Sequence, residues 1–226
     1  MELEKVTKRE RPSVRRVYDD ACGTAHALHL IGERWAMLII RELAFGPRRF
    51  SELKADLPGI SANVLTQRLG ELESRGIVRK ISLPPPASVQ VYEATPWGLE
   101  AAPLIGALGK WAARSPDHDP SLPMSHAALM MSFETLFDPA RAADMDARLG
   151  FRFGNVDYVA TVRCGSIRVE RRPIEDVDVT FTGTPMNMVA AIHGGAPPEQ
   201  VDVRVEGSPE IARRFMSLFP LPPKAF

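Results

Sequence analysis

The stretch ISANVLTQRLGELESRGIV, residues 60–78, constrains the fold more than any other part of the chain. Its three leucines recur at helical spacing, which predicts a helix with one buried stripe. The opposite side carries small and hydrogen-bonding groups, which burial in a core does not require. Ser61 stands where an N-cap is expected and Gly76 where a helix ends, so the helix is predicted between them.

Short helices precede this helix and a hairpin follows it. A first pair of helices is separated by Gly32, and Trp35 is expected in the buried stripe of the second. Pro47 is expected to open a third, short helix. Next, the runs IVRKISL and VQVYEA have strand composition and flank PPPAS, which predicts a hairpin with a proline-stiffened tip. Thr95 opens a helix that runs to about Arg114, and this order of elements is typical of a winged helix-turn-helix.

A helix with a short polar flank suits the major groove of DNA. The helix is about 10–12 Å across and the groove about 12 Å wide. Polar groups in the first half of the helix are expected to contact base edges, and nearby basic groups are expected to contact phosphates. Because Glu71 and Glu73 would repel phosphates, the second half of the helix is predicted to face away from DNA. The alternative to DNA binding is that the polar side of the helix simply contacts water. The candidate DNA-contacting residues are Arg48, Arg49, Ser61, Asn63, Thr66, Gln67, Arg68, Arg75, Arg79 and Lys80.

The segment from Cys22 to about Ala113 carries GERW, RRFSEL, GIS…L..RL..LE..G and T..G…P….L..W in that order. It closely resembles the HxlR-type winged-helix regulators of bacteria and archaea. The resemblance implies a homodimer that pairs through its first and last helices and binds a pseudo-palindromic operator, most often as a repressor. The proline-rich PPPAS departs from the family, where an arginine is expected to enter the minor groove.

The spacing of apolar residues independently predicts dimerisation. The helix after Thr95 carries an apolar seam wider than a small domain readily buries, although Pro103 is expected to kink or reset it. Packing of the seam against its own domain is the alternative. The candidate dimer residues are Trp97, Ala101, Leu104, Leu108 and Trp111.

The length of the chain, 226 residues, and one proline-rich segment within it predict two domains. Residues 1–20 form an arm and residues 21–114 the winged helix-turn-helix. SPDHDPSLP, residues 115–123, is a linker. Residues 124–226 alternate strand-like runs with helices opened by Thr-Pro or Ser-Pro. The predicted fold class is therefore α+β, with a mostly antiparallel sheet that carries helices on one face.

The runs GSIRVERRPIEDVDVTFTGTPMNMVAAIHGG and VEGSPEIARRF resemble the sterol carrier protein fold. That resemblance implies a five-stranded sheet and helices around an apolar tunnel for a hydrophobic ligand. The methionines and aromatics of this half are the candidate lining, and an ordinary core is the alternative. The candidate pocket residues are Met130, Met131, Phe133, Phe137, Phe153, Phe181, Met186, Met188, Phe215, Met216 and Phe219.

The two cysteines, Cys22 and Cys164, supply neither a disulfide framework nor a zinc cage. In some regulators of the resembled HxlR type a cysteine at the place of Cys22 senses oxidants, and a packed core thiol is the alternative here. Basic and acidic residues are equal at 28 each, with the basic excess before Ser115. No signal peptide, membrane span, metal-ligand spacing or catalytic motif is found, so a cytoplasmic, non-enzymatic protein without cofactor is expected.

Three interpretations follow from these patterns. The leading one is a homodimeric regulator, most simply a repressor, whose affinity for DNA responds to a hydrophobic ligand in the second half. The second is a hydrophobic-ligand carrier that does not read DNA. The third is a repressor released by oxidation of Cys22.

Overall fold

The computed structural model describes residues 18–84 and 88–226. Most of the predicted N-terminal arm and part of the PPPAS tip lie outside the described residues. The first half has the predicted order of helices followed by a hairpin. Its elements are α1 (Gly23–Ile31), α2 (Ala36–Leu43), α3 (Phe50–Asp56), α4 (Ala62–Ser74), β1 (Val78–Ser82), β2 (Gln90–Ala94) and α5 (Pro96–Ala112).

The boundaries of α4 follow from its caps, as predicted. The Ser61 hydroxyl accepts a hydrogen bond from the Val64 amide at 3.2 Å, which satisfies one of the free amides of the first turn. Gly76 adopts a φ of 73° just after the helix, a conformation that glycine adopts without strain. The leucine stripe is fully buried against α2 and the hairpin, so one side of α4 belongs to the core.

Two helix starts differ from the sequence prediction. Trp35 is not in the α2 stripe but precedes the helix with a φ of 80°, and its ring is only partly buried. Ile39 and Leu43, which were also predicted in this stripe, are fully buried, and so is Ile40. Helix α3 begins after Arg49, and not at Pro47, because the Glu52 carboxylate accepts a hydrogen bond from the Arg49 amide at 2.9 Å.

The second half is mixed α+β. Its five strands form one sheet in the order β5-β4-β3-β6-β7, in which β3 and β6 are parallel and the other neighbours antiparallel. The short helix α7 and a 3-10 turn at Pro198–Gln200 were not predicted. The elements are α6 (His126–Leu136), α7 (Pro139–Ala142), β3 (Ala147–Phe153), β4 (Val156–Arg163), β5 (Ser166–Glu170), β6 (Val179–Thr182), α8 (Pro185–Ile192), β7 (Arg204–Gly207) and α9 (Pro209–Met216).

Aromatic side chains fill the core of this half. Phe133 of α6 and Phe215 of α9 pack on one face of the sheet. On that face the rings of Phe151 and Phe181 stack on each other, with their centroids 5.3 Å apart. Behind the sheet, a Cβ at Gly150 would lie 2.6 Å from the Ile174 side chain in the β5–β6 connection. The connection therefore covers part of the opposite face. Among the described residues, no helix is long and apolar enough to cross a membrane.

The C-terminal tail returns to the end of α5. The Lys224 ammonium donates hydrogen bonds to the carbonyls of Ala113 and Ser115, at 3.2 and 2.9 Å. The Ala225 amide donates to the Arg114 carbonyl at 2.9 Å. These bonds hold the tail against the turn that follows α5 and join the two halves of the chain.

Candidate nucleic-acid interface

The first half of α4 is exposed along one side. Ser61, Asn63, Thr66 and Gln67 all lie on this side. The Thr66 hydroxyl donates to the Ala62 carbonyl at 2.9 Å, and the Gln67 amide donates to Glu71 at 2.9 Å. Asn63 has no hydrogen-bond partner among the described residues, so both its donor and its acceptor can meet a base edge. Ala62, which sequence reasoning did not single out, is exposed beside it.

Three basic side chains remain at the outer surface near α4. Arg49 is exposed at the start of α3. Arg79 is exposed on the hairpin while it pairs with Glu93. The Lys80 ammonium lies 5.9 Å above the Tyr92 ring. Surface ion pairs are weak and screened, so these cations stay available for phosphates.

The structure places the other three predicted arginines differently. Arg48 is only 3% exposed, and its guanidinium contacts Asp56 and Glu52. Burial there serves to hold α3, so we leave Arg48 out of the interface. Arg68 pairs with Glu71 and, at 3.1 Å, with Glu33 of the α1–α2 connection.

The third of these arginines, Arg75, fixes the far end of α4. Its guanidinium donates to the Leu30 carbonyl of α1 at 2.7 Å, in a partly buried position. Together, Arg68 and Arg75 hold the second half of α4 against the protein. The orientation of this half relative to DNA stays a prediction.

A buried polar network links α3 to the second half, and sequence reasoning missed it. His126, at the start of α6, lies 3.3 Å from the Asp56 carboxylate through Nε2 and 2.7 Å from the Tyr158 hydroxyl through Nδ1. Burial alone would raise the pKa of Asp56, but hydrogen bonds from His126 and Arg48 outweigh it and hold that pKa below its ordinary value. Burial raises the pKa of Tyr158, which keeps its proton.

A second polar contact joins α2 to the same helix. Glu42 is buried, and its carboxylate accepts from the Ser125 hydroxyl at 2.7 Å and pairs with Arg41 at 2.7 Å. The same hydroxyl accepts from the Ala128 amide and caps α6. Breaking this contact would leave a buried carboxylate short of a partner, so the contact stabilises the packing of α2 on α6.

Comparison with known proteins decides the family. A model of the HxlR-like helix-turn-helix family matches residues 30–120. YvaP of Bacillus subtilis (strain 168), an uncharacterized HTH-type transcriptional regulator, is 40% identical over 86 residues, which cover 38% of this chain and 80% of YvaP. The chain belongs to the HxlR-like helix-turn-helix family. It is a DNA-binding transcriptional regulator of the helix-turn-helix type.

Two further relatives extend the comparison. The HTH-type transcriptional regulator YodB of the same organism is 37% identical over 86 residues, 38% of this chain and 77% of YodB. Among solved structures, the redox regulator HypR in its oxidized form is 27% identical, covers 43% of this HxlR-like chain and 100% of HypR, and has a TM-score of 0.40.

The HxlR-like half leaves an apolar stripe of α5 uncovered. Leu104 and Trp111 are 68% and 69% exposed, and Trp97 and Leu108 lie on the same side. Ala101, the fifth predicted dimer residue, packs partly against the first core. Helix α5 continues through Pro103, so the proline does not interrupt the stripe. Exposed apolar residues in such a row are typical of a protein interface.

Cys22 is exposed at the N-cap of α1, so it is not the packed core thiol of the alternative interpretation. Hydrogen bonds from the Thr24 backbone and hydroxyl lower the pKa of the Cys22 thiol. A lower pKa increases the thiolate fraction, and the thiolate is the reactive form. Cys164 is also exposed.

The predicted pocket residues of the HxlR-like chain occupy two kinds of position. Most pack together in the aromatic core, where Phe133 and Phe219 stack at 4.7 Å. Met131 and Met216 also line two separate surface cavities of about 490 and 880 Å³, and Met216 packs against the core as well. The residues of the core group include Met130, Phe133, Phe137, Phe153, Phe181, Met188, Phe215 and Phe219, while Met186 is partly buried at the start of α8.

Proposed function

We propose that this regulator binds a pseudo-palindromic operator as a homodimer and represses transcription. The observation that supports it most is the exposed first half of α4, with Asn63 free of hydrogen-bond partners among the described residues, beside Arg49, Arg79 and Lys80. A helix of this kind inserts its N-terminal half into the major groove, where asparagine and glutamine pair with adenine. In this arrangement Asn63 and Gln67 contact bases.

The remaining contacts of the proposed interface are with the DNA backbone. Ser61 and the free amides of the first turn of α4 bind a phosphate at the positive end of the helix dipole. Thr66 contacts the groove wall, and the three outer cations neutralise phosphates on either side. Binding therefore weakens as salt rises, because each neutralised phosphate releases counterions.

The homodimer in this proposal forms through the uncovered α5 stripe. Two recognition helices must lie about 34 Å apart to enter successive major grooves on one side of DNA. Pairing through a two-fold axis generates such a spacing and matches a pseudo-palindromic site. Trp97, Leu104, Leu108 and Trp111 supply the apolar surface that the pairing buries, with Ala101 at its edge.

The proposal also covers regulation by the second half. Residues 21–114 form the DNA-binding and dimerisation domain, 115–123 a linker, and 124–226 a sterol carrier-like domain that binds a hydrophobic effector. A ligand there changes operator affinity if it binds one arrangement of the two halves more tightly than another. The His126–Asp56 contact supports this link, since it connects the second half to the helix just before α4.

Titration of DNA tests the proposed function. A fluorescent fragment from the region upstream of the protein's own gene is titrated with the purified protein, beside a scrambled fragment at the same salt. We expect the upstream fragment to bind at least about 10³-fold more tightly. Equal affinity for the two fragments would contradict the proposed sequence-specific binding of this operator.

Oxidant release through Cys22 is a second candidate function, favoured by the exposure and lowered pKa of this thiol. Diamide is added to the operator complex of the wild type and of the Cys22→Ser variant. Release of the wild type alone would support the switch, and Cys164→Ser is the matched control because Cys164 is also exposed. Equal release of wild type and Cys22→Ser would remove this candidate.

A further inference from the structure

A cavity of about 490 Å³ lies where α2, α5 and α6 meet. Phe45 follows α2, Leu99 and Pro103 come from α5, and Met131 comes from α6. The volume falls within the range of about 300–1,000 Å³ that small-molecule sites occupy, and an apolar lining with few polar groups is typical of them. Of the predicted pocket residues, Met131 lines this cavity and the residues of the aromatic core do not.

Glu134 places one carboxylate in this apolar lining. One of its oxygens accepts a hydrogen bond from the Val169 amide at 3.0 Å, which fixes the side chain. The other oxygen accepts no hydrogen bond from the described residues. Burial raises the pKa of Glu134, partly offset by the Val169 bond and by the charge of Arg168. A carboxylate with a free oxygen in an apolar wall favours a ligand with a positive charge.

The charges around the cavity support this choice. Lys110 also lines the cavity, but its side chain is exposed and strongly hydrated. Arg168 is exposed and pairs with Glu170 at 3.0 Å. Glu134 is also exposed, but the Val169 bond fixes its carboxylate, whereas the Lys110 ammonium ends on a flexible stem. Glu134 is therefore the ordered charge of the site.

The cavity lies on the side of α5 opposite the exposed stripe. At 100° per residue, Leu99, Pro103 and Lys110 fall on the helix face away from Trp97, Leu104 and Trp111. Contact between α5 and α6 is close nearby, because a Cβ at Gly106 would lie 2.4 Å from the Thr135 hydroxyl. A molecule that enters between these helices thus contacts the same helix that carries the proposed dimer surface.

We propose that this cavity binds an amphipathic amine, with its apolar body against Phe45, Pro103 and Met131 and its ammonium group on Glu134. The effector of the regulator is then an amphipathic amine, and it binds at the α2–α5–α6 junction rather than in the core of the sheet. Its regulatory consequence, a change in dimer geometry and operator affinity, rests on the proposed function. The site itself does not.

Three compounds with one apolar body test the site: 4-phenylbutylamine, 4-phenylbutanol and 4-phenylbutyrate. Calorimetry on the full chain without DNA is expected to show the amine binding at least about tenfold more tightly than the others, as a charge-assisted hydrogen bond predicts. Glu134→Gln should remove that preference. Glu100→Gln, at an exposed position of α5, is the matched control and should keep it.

Equal binding of the three compounds, tighter binding of the carboxylate, or no binding of the amine would overturn the proposed site. An unchanged amine preference in Glu134→Gln would do the same. Operator titration with and without amine then tests the regulatory step, which is overturned if affinity does not change. Because binding is measured without DNA and operator affinity without amine, failure of either proposal is seen separately.

Discussion

Asn63 is the residue whose substitution isolates base reading from folding. Its side chain is exposed on α4 and has no hydrogen-bond partner among the described residues, so Asn63→Ala breaks no hydrogen bond of that part of the chain. We expect operator affinity to fall by about 1–3 kcal/mol, the value of a bidentate base contact, while affinity for scrambled DNA is unchanged. Titration of both fragments measures this difference.

Ser74→Ala provides the control for that substitution. Ser74 is the last residue of α4, on the half that we place away from DNA, and it is also exposed. Its substitution is expected to leave both affinities unchanged. Equal losses for Asn63→Ala on operator and scrambled DNA would show that Asn63 carries no sequence information.

His193 gives the folded state a defined pH dependence. Burial lowers the pKa of His193 below its ordinary value of 6.5, and its Nε2 lies 2.9 Å from the Ser132 hydroxyl. As the pH falls below 6.5, the unfolded chain binds a proton at this ring that the folded chain still excludes. The free energy of unfolding therefore decreases until the pH reaches the folded pKa. Urea unfolding at pH 7 and pH 5 measures the decrease.

The comparison of variants assigns this decrease to one histidine. His193→Gln is expected to lose less stability than the wild type between pH 7 and pH 5. His118→Gln, which changes an exposed histidine between α5 and α6, should behave as the wild type. The same pH dependence in His193→Gln and wild type would contradict this assignment.

Among elements, α5 has a glycine, Gly98, whose added side chain would meet backbone, and another, Gly109, with open space. A Cβ at Gly98 would lie 2.1 Å from the Ile77 carbonyl oxygen, which is backbone and cannot rotate away. Gly109 has nothing within 4 Å of its hypothetical Cβ. We expect Gly98→Ala to lower the free energy of unfolding by about 1–3 kcal/mol, and Gly109→Ala to raise it by up to about 1 kcal/mol. Equal effects in denaturant titration would contradict the described packing of α5 on the hairpin.

The sequence predicted the elements whose signals are local. Capping residues such as Ser61 and Thr95, and the alternation along the strands, lie within a few residues of the structure that they specify. Helix α7 was missed because four residues carry too little periodicity to register. The start of α3 was misplaced because the Arg49–Glu52 hydrogen bond, and not Pro47, fixes its first turn.

The candidate site was harder to predict because charge alone does not reveal a partner. Arg48, Arg68 and Arg75 have the sequence context of phosphate-binding residues, yet each contacts the protein itself. The Asp56–His126 contact joins positions far apart in sequence, and only the tertiary fold brings them together. The exposure of Asn63 and its neighbours was predictable, because an exposed polar side beside a leucine stripe is a property of the helix itself.

For the whole molecule, the uncovered α5 stripe predicts that the chain pairs in solution. Leu104→Glu places a charge in the centre of that stripe and should shift the protein from dimer to monomer in sedimentation experiments. Leu122→Glu is the matched control, because Leu122 is 62% exposed but lies outside the stripe. A wild-type monomer, or an unaffected Leu104→Glu dimer, would contradict pairing through α5.

The arrangement of two α4 helices on DNA is tested most directly by local cleavage. An iron chelate that cuts DNA is attached through Ala62→Cys, at the exposed start of α4, in a chain that also carries Cys22→Ser and Cys164→Ser. The account predicts two groups of cuts about one helical turn apart on the operator. The same chelate at Ser74→Cys, roughly 18 Å along the helix, should cut weakly. A single group of cuts, or stronger cutting from position 74, would contradict it.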